Sequence, residues 1–417
     1  MIQLRRALGI SALAVAVVLA AGPVAADWNA GVDLYNQGLF AEAAEHFQGV
    51  VKTHPGWPGG YLMLGRCELA MGQTTEALDH LRVAARLGPD DPANAATLSR
   101  ALMAAELHTE ARELLESLDL EKTSPPWKAE FARMQARCLL AEDRAADAVA
   151  VLETRLEDDP DNAALHRAIA TACQATGDRM AVLDHLTRAF VLDPDDHASG
   201  RAAITTALAL ATATGDDSLA ASLRDRALEL ATTLATAAPE YDNELLAGEA
   251  AFAAGRLDAA ARWLAGAANE RPQEPMARYE LGRTLAALDR NDEAINHLRA
   301  ALGAAPDAEL AVRIHGQLGR LLACRLELRE AARHYRAAGD NERAGLIGGL
   351  AADISGALER LAKLRRDAAE FAGIEAELEE LGDANGVTAV ADRRKAMGQE
   401  IAAIEDNLYE VRSALCQ

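Results

Sequence analysis

The chain has 417 residues, a formal net charge of −22 and 4% aromatic residues. Such acidity repels nucleic-acid phosphates and anionic membrane surfaces, so neither is expected as a partner, and basic or neutral partners are the default. Length alone suggests two or three domains, but internal repetition overrides that expectation: repeats contact only their neighbours, and one elongated body is expected.

The first 26 residues differ from the rest. Arg5 and Arg6 form a basic stretch, residues 7–21 an apolar one, and Val24, Ala25 and Ala26 a small-residue site before Asp27. This pattern predicts a secretory signal peptide cleaved after Ala26, leaving the remainder periplasmic or secreted with no stable membrane span; the alternative is an uncleaved anchor. The apolar run is shorter than the roughly 20 residues that cross a bilayer comfortably. No cysteine follows it to carry a lipid.

From Asp27 onward one pattern repeats. Residues 27–57 open with Trp28, place Gly38 at a turn and end at Pro55. Residues 58–91 hold Tyr61, Leu64, Gly65, Gly72, Ala77, Leu81, Ala84 and Pro89 in the same order. The third unit, 92–125, keeps Leu98, Ala111, Leu115 and Leu118 but has Ser99 in place of the glycine. Units four and five stop at Pro160 and Pro194, each within a turn-forming run of aspartates. Between Pro194 and Pro239 the interval widens to 45 residues, which predicts one unit with lengthened helices near 197–239. Two regular units follow to Pro306, and a ninth near 312–340 carries Leu318, Gly319, Ala331 and Tyr335.

Pro55 and Pro89, Pro160 and Pro194, and Pro272 and Pro306 each stand 34 residues apart. Within residues 275–308 the apolar spacing reads as helix, tight turn, helix, stop. Helices whose axes approach to about 8–10 Å need little side chain at the crossing. Gly31, Gly65, Gly248 and Gly282 supply this in the first helices, and Ala43, Ala77, Ala111, Ala148, Ala260, Ala294 and Ala331 in the second. Phe47, Leu81, Leu115, Leu152, Leu186, Leu264, Leu298 and Tyr335 occupy the position four residues beyond the second-helix mark. On these marks the chain resembles the tetratricopeptide repeat (TPR) family, whose period is about 34 residues. The resemblance implies an all-α, TPR-type α-solenoid superhelix of about nine helix-turn-helix repeats over 27–340. It also implies a non-enzymatic protein–protein interaction scaffold with a concave groove.

After Asp340 the pattern changes. Residues 357, 361, 364, 368 and 371, and then 397, 401, 404, 408, 411 and 415, are apolar at alternating steps of three and four. That is a coiled-coil seam, and GDANG at 382–386 is turn chemistry, so 341–417 is expected to form a C-terminal antiparallel helical hairpin. In that hairpin Glu375, Glu377, Glu379 and Glu380 come level with Arg393, Arg394 and Lys395. Arg365 and Arg366 come level with Glu400, Glu405 and Asp406. The run GLIGG at 345–349 reads as a loosened helix junction before the tail. Cys67, Cys138, Cys173 and Cys324 read as small buried apolar residues. Cys416, next to the C-terminus, reads as a frayed, functionless thiol, with pairing between chains as the alternative.

No catalytic constellation is evident. The ten histidines look scattered, and HExxH, GxxxxGK[ST] and GxSxG are absent. No enzyme activity, cofactor or metal is therefore expected. Asp158-Asp159 and Asp195-Asp196 sit at helix exits, where turn formation accounts for them. One sharper feature remains. Arg66, Arg100, Arg137, Arg283 and Arg320 each follow the small position of a first helix, and Arg133 and Arg167 lie one turn away in their own units. The resemblance places this position in the groove. Helices about 10 Å apart match about three residues of extended peptide, so an acidic or C-terminal segment held by bidentate arginine contacts is the expected partner. The competing reading of each arginine is a stem covering apolar surface with its head in water. The family's carboxylate clamp needs Lys and Asn where this chain has Trp28 and Val32, so chaperone-tail binding does not carry over. For the whole chain, the competing reading is a structural spacer that self-associates through 341–417.

Overall fold

In the computed structural model the described residues are 23–381 and 383–416. They form α-helices and a short 3-10 turn at Leu120–Lys122, with no strand among them. The basic and apolar parts of the expected signal peptide lie outside the described residues. Pro23 to Ala26 form the first turn of α1.

Two compact units divide the chain. The first, Met1–Thr206, contains α1 (Pro23–Asn36), α2 (Phe40–Thr53), α3 (Pro58–Ala70), α4 (Thr74–Leu87), α5 (Pro92–Ala104), α6 (His108–Glu116), α7 (Pro125–Ala141), α8 (Ala145–Asp158), α9 (Ala163–Thr176), α10 (Arg179–Leu192) and the start of α11 (His197–Ala213). The second, Ala207–Gln417, contains α12 (Asp217–Ala237), α13 (Tyr241–Ala253), α14 (Leu257–Glu270), α15 (Pro275–Ala287), α16 (Asn291–Gly303), α17 (Ala308–Cys324), α18 (Leu328–Ala337), α19 (Asn341–Glu380) and α20 (Ala384–Cys416). Among the described residues α1–α2, α3–α4, α5–α6, α7–α8, α9–α10, α13–α14, α15–α16 and α17–α18 pack as consecutive pairs, and α11 and α12, of 17 and 21 residues, occupy the lengthened interval. No described helix is long and apolar enough to cross a membrane.

Five of the helix pairs, those with glycine at the small position, close on one contact. The small residue of the first helix meets the side chain sixteen positions later on the second. A β-carbon on Gly65 would stand 2.6 Å from Leu81 Cγ, one on Gly282 2.7 Å from Leu298 Cγ, and one on Gly31 2.9 Å from the Phe47 ring. Gly248 and Leu264, and Gly319 and Tyr335, repeat the arrangement. The second-helix alanines, from Ala43 to Ala331, are fully buried. Ser99, in the irregular third unit, is equally buried, so its hydroxyl is accommodated where the others have no side chain.

Turn and cap chemistry places the ends. Seven residues after the small position the backbone turns left-handed, with φ between 59° and 84° at Gly38, Gly72, Glu106, Asp143, Gly177, Gly255, Asp289 and Leu326. Glycine fits there freely, whereas each L side chain costs about 1–2 kcal/mol. Asp91, Asn162, Asp178 and Asp307 cap first or second helices by accepting from backbone N–H groups at 2.8–3.1 Å. Pro58, Pro92, Pro125 and Pro275 stand at first helical positions, where the missing N–H is not needed.

In the second unit the core runs without interruption from the repeats into the tail. Leu281, Leu298, Ile314, Leu318 and Tyr335 join Ile347, Ile354, Leu361 and Leu408 in one buried cluster. α19 packs on α18, and α20 on α17 and α19. The last two helices run antiparallel, as the ion pairs Arg394–Glu375 (3.0 Å), Arg365–Glu405 (2.5 Å) and Arg360–Glu400 show. Two expectations are corrected. GLIGG lies inside the continuous helix α19, because Ala344, Ile347 and Ala351 are buried against the neighbouring helices and Asp340 caps the start. Burial there outweighs the helix cost of glycine, about 1 kcal/mol each.

Cys324 and Cys416 are the second correction, since they form a disulfide with Cα atoms 5.0 Å apart. Folding α20 back onto α17 brings a residue 92 positions away beside the buried thiol, a juxtaposition invisible to local spacing. Cys67, Cys138 and Cys173 are buried free thiols, and burial pushes the Cys67 thiol up to about 11. Closing so long a loop is expected to stabilise the second unit by about 2–4 kcal/mol. Cys416→Ser should therefore unfold at lower denaturant than the wild type under oxidising conditions, and added reductant should abolish the difference; equal midpoints without reductant would count against the pairing.

Candidate functional site

In the first unit, α3, α5, α7 and α9 carry five of the seven arginines singled out in the sequence. Arg66 on α3 is half-buried and donates to Thr97 Oγ1 at 3.4 Å and to Met63 Sδ at 3.8 Å. Burial lowers its pKa, Tyr35 opposes this, and Arg100 adds to the lowering. Among the described residues Arg66 and Arg137 have no ion-pair partner. Arg100 and Arg133 share Glu130, at 3.5 and 3.1 Å. Arg167, on α9, is held by Asp196 at 2.7 Å, which also accepts from the Ser199 hydroxyl. The structure thus brings Arg66, Arg100 and Arg133 into one neighbourhood and engages Arg167 in a local ion pair.

In the second unit the two remaining arginines belong to a richer cluster. α15 presents Tyr279, Glu280 and Arg283, α17 presents Arg313, Gln317 and Arg320, and Phe252 comes from α13, Tyr335 from α18 and Arg343 from α19. The Arg283 guanidinium lies 4.7 Å over the Phe252 ring and Arg313 lies 4.8 Å over Tyr279. Arg343 lies 6.0 Å from the Tyr335 centroid. Stacking of this kind fixes a guanidinium plane while leaving its edge for further hydrogen bonds. Between them opens a cavity of about 290 Å³, lined by Tyr279, Arg313, Gln317, Arg320, Tyr335 and Arg343.

A carboxylate is built into one side of this cluster. Glu280 is buried and pairs with Arg283 at 2.5 Å and Arg313 at 3.5 Å. Burial pushes its carboxyl above the ordinary value, against the pull of both arginines. Glu249, on α13, is pushed up too, by its own burial and by Glu280. Arg283 is therefore occupied, while Arg320 donates to Gln317 at 3.3 Å and has no ion-pair partner among the described residues. Tyr279 and Arg313 were not singled out from sequence, although they stand four residues before Arg283 and seven before Arg320 on the same helix faces. Glu280 gave no such signal, since nothing local marks a buried glutamate. Among the described residues no group of three or more His, Cys, Asp or Glu is placed to hold a metal.

The two second-unit arginines should behave differently. Arg283→Ala is expected to destabilise by roughly 1–3 kcal/mol at neutral pH, because it strips a buried charge of a partner. The loss should shrink on acidification as Glu280 takes up a proton. Arg320→Ala should stay within about 0.5 kcal/mol of the parent. Denaturant titrations at two pH values check both; equal effects would refute the distinction.

Models of the tetratricopeptide repeat match residues 12–92, 68–138 and 251–318. No curated protein is found to match the chain. Among solved structures, MamA from Desulfovibrio magneticus RS-1 is similar at 16% identity over 43% of this chain and 95% of its own, with TM-score 0.34. YrrB, described as a TPR protein with an unusual peptide-binding site, is 18% identical over 42% of this chain and 88% of its own, with TM-score 0.35. The C-terminal part of a TPR repeat-containing protein from Cytophaga hutchinsonii is 12% identical over 61% of this chain and 99% of its own, with TM-score 0.47. With the 34-residue period, the sixteen-residue helix contact and the matching repeat models together, the chain carries tetratricopeptide repeats.

Proposed function

We propose that the chain is a non-enzymatic, exported adaptor whose first-helix arginines hold an acidic or C-terminal segment of a partner protein. The repeats themselves make it a protein–protein interaction scaffold. The observation that carries the finer reading is the cavity in the second unit. Three arginine heads, two of them braced on tyrosine rings, surround it in a chain whose net charge is −22. A local reversal of sign against an acidic surface selects for an anionic ligand and repels it elsewhere. Arg66 in the first unit, half-buried and without an ion-pair partner among the described residues, offers a second contact of the same kind.

Export is supported by the basic and apolar pattern of residues 1–26 and by the Cys324–Cys416 pair, since disulfides persist in oxidising compartments. A second reading has its own support. Helix α19 exposes Leu346, α20 exposes Tyr409, and Leu381 projects at the turn between them, which suits self-association through 341–417.

One experiment separates the two readings. Fluorescent acidic and basic peptides with free C-termini are titrated against the full chain and an Arg313→Glu/Arg320→Glu variant, with light scattering on both. The groove reading expects salt-sensitive binding of acidic peptides, weakened at least about tenfold in the variant at unchanged helical content. Equal affinity in both proteins would reject it. A concentration-dependent dimer, lost in Leu346→Ser/Tyr409→Ser, would favour the second reading.

A further inference from the structure

Half of the histidines occupy one register position, fifteen residues after the small residue of a first helix: His46, His80, His185, His297 and His334. In two repeats, the residue across from this position is another histidine. His166 Nδ1 lies 3.0 Å from His185 Nδ1, between α9 and α10. His315 Nδ1 lies 2.8 Å from His334 Nδ1, between α17 and α18. Ring centroids are 5.2 and 5.0 Å apart, and the same spacing of nineteen residues separates each pair. One pair belongs to each unit. The position does not force such pairing, because His46 faces Asp27 at 3.6 Å and His80 meets Glu68 at 2.8 Å.

Two ring nitrogens at hydrogen-bond distance share one hydrogen, so one ring donates and the other must be bare there. In the first pair the surroundings fix which. His166 Nε2 lies 3.1 Å from the Pro160 carbonyl, which only accepts, so Nε2 carries the hydrogen. The neutral ring then has a bare Nδ1, and His185 donates to it. A proton added to His166 would set two N–H groups face to face. A proton added to His185 would keep the bond but charge a half-buried ring. We infer that the His166–His185 and His315–His334 pairs are acid-sensitive latches, each closing the two helices of a repeat when neutral and loosening them when protonated.

The charges around each latch leave it exposed to acid. His166 faces Asp161 and Arg188, which are paired with each other at 2.5 Å. His185 faces Glu153 from α8 and Asp184 on its own helix. His334 stands 3.8 Å from Glu330, which Arg299 from α16 holds at 2.7 Å, with Arg333 beside it. Burial holds all four imidazoles below their ordinary value. The unfolded chain, titrating near ~6.5, then binds more protons than the folded one as pH falls. The latches contribute fully above that pH and are lost as pH drops through the lower folded values.

The test is thermal unfolding of the full chain from pH 7.5 to 5.0, followed by circular dichroism, for the wild type and for a variant with all four histidines changed to Gln. The wild-type midpoint is expected to fall at least about 4 °C further than that of the variant. Equal falls would overturn the inference. Should the variant not fold, ¹⁵N-histidine spectra of the wild type decide, with assignment by single His→Gln changes. His166 and His185 are expected in opposite neutral tautomers with midpoints below ~6.5; identical tautomers titrating at or above that value would overturn it.

Discussion

Close approach of two helices at a point stripped of side chain is the constraint from which the rest follows. Where Gly65 or Gly282 stands, the partner leucine occupies the volume a β-carbon would need. The second helix contributes an alanine four residues earlier, fully buried, so both surfaces are shallow where they cross. Such a joint fixes the pair's separation without large anchors, which is why a chain with 4% aromatic residues still buries a core. The irregular third unit has Ser99 at this position, its side chain likewise buried.

Once the joint sets the helix pairs, the arginines one residue beyond it, or one turn away, acquire different fates within their own units. Arg167 and Arg283 are drawn into ion pairs with buried or half-buried acids, Asp196 and Glu280, and serve the fold. Arg320 and Arg66 keep unfilled donors. Aromatic rings in the second unit convert neighbouring guanidinium groups into fixed planes around a cavity. A row that is uniform in sequence is therefore two populations in space, one structural and one available.

Repetition made the helix pairs legible in sequence, because the proline, glycine and alanine marks each report a steric requirement that recurs every 34 residues. The seam residues of the tail were legible for the same reason: Leu361 and Leu408 are buried, and the positions at 357, 364, 401 and 404 are partly so. What escaped were features created by folding distant segments together. The Cys324–Cys416 bridge needs α20 to return to α17, and Glu280 is drawn into the site by two arginines on different helices. The histidines were a missed signal of another kind. They look scattered in linear order and fall into line only when counted from the small residue of each repeat.

The sixteen-residue joint can be measured by a double-mutant cycle of Gly65→Ala and Leu81→Ala, read by denaturant unfolding. If the two residues compete for one volume, Gly65→Ala should cost about 1–3 kcal/mol in the parent and far less once Leu81 has been trimmed. Equal costs in both backgrounds, additive to within about 0.5 kcal/mol, would contradict the account.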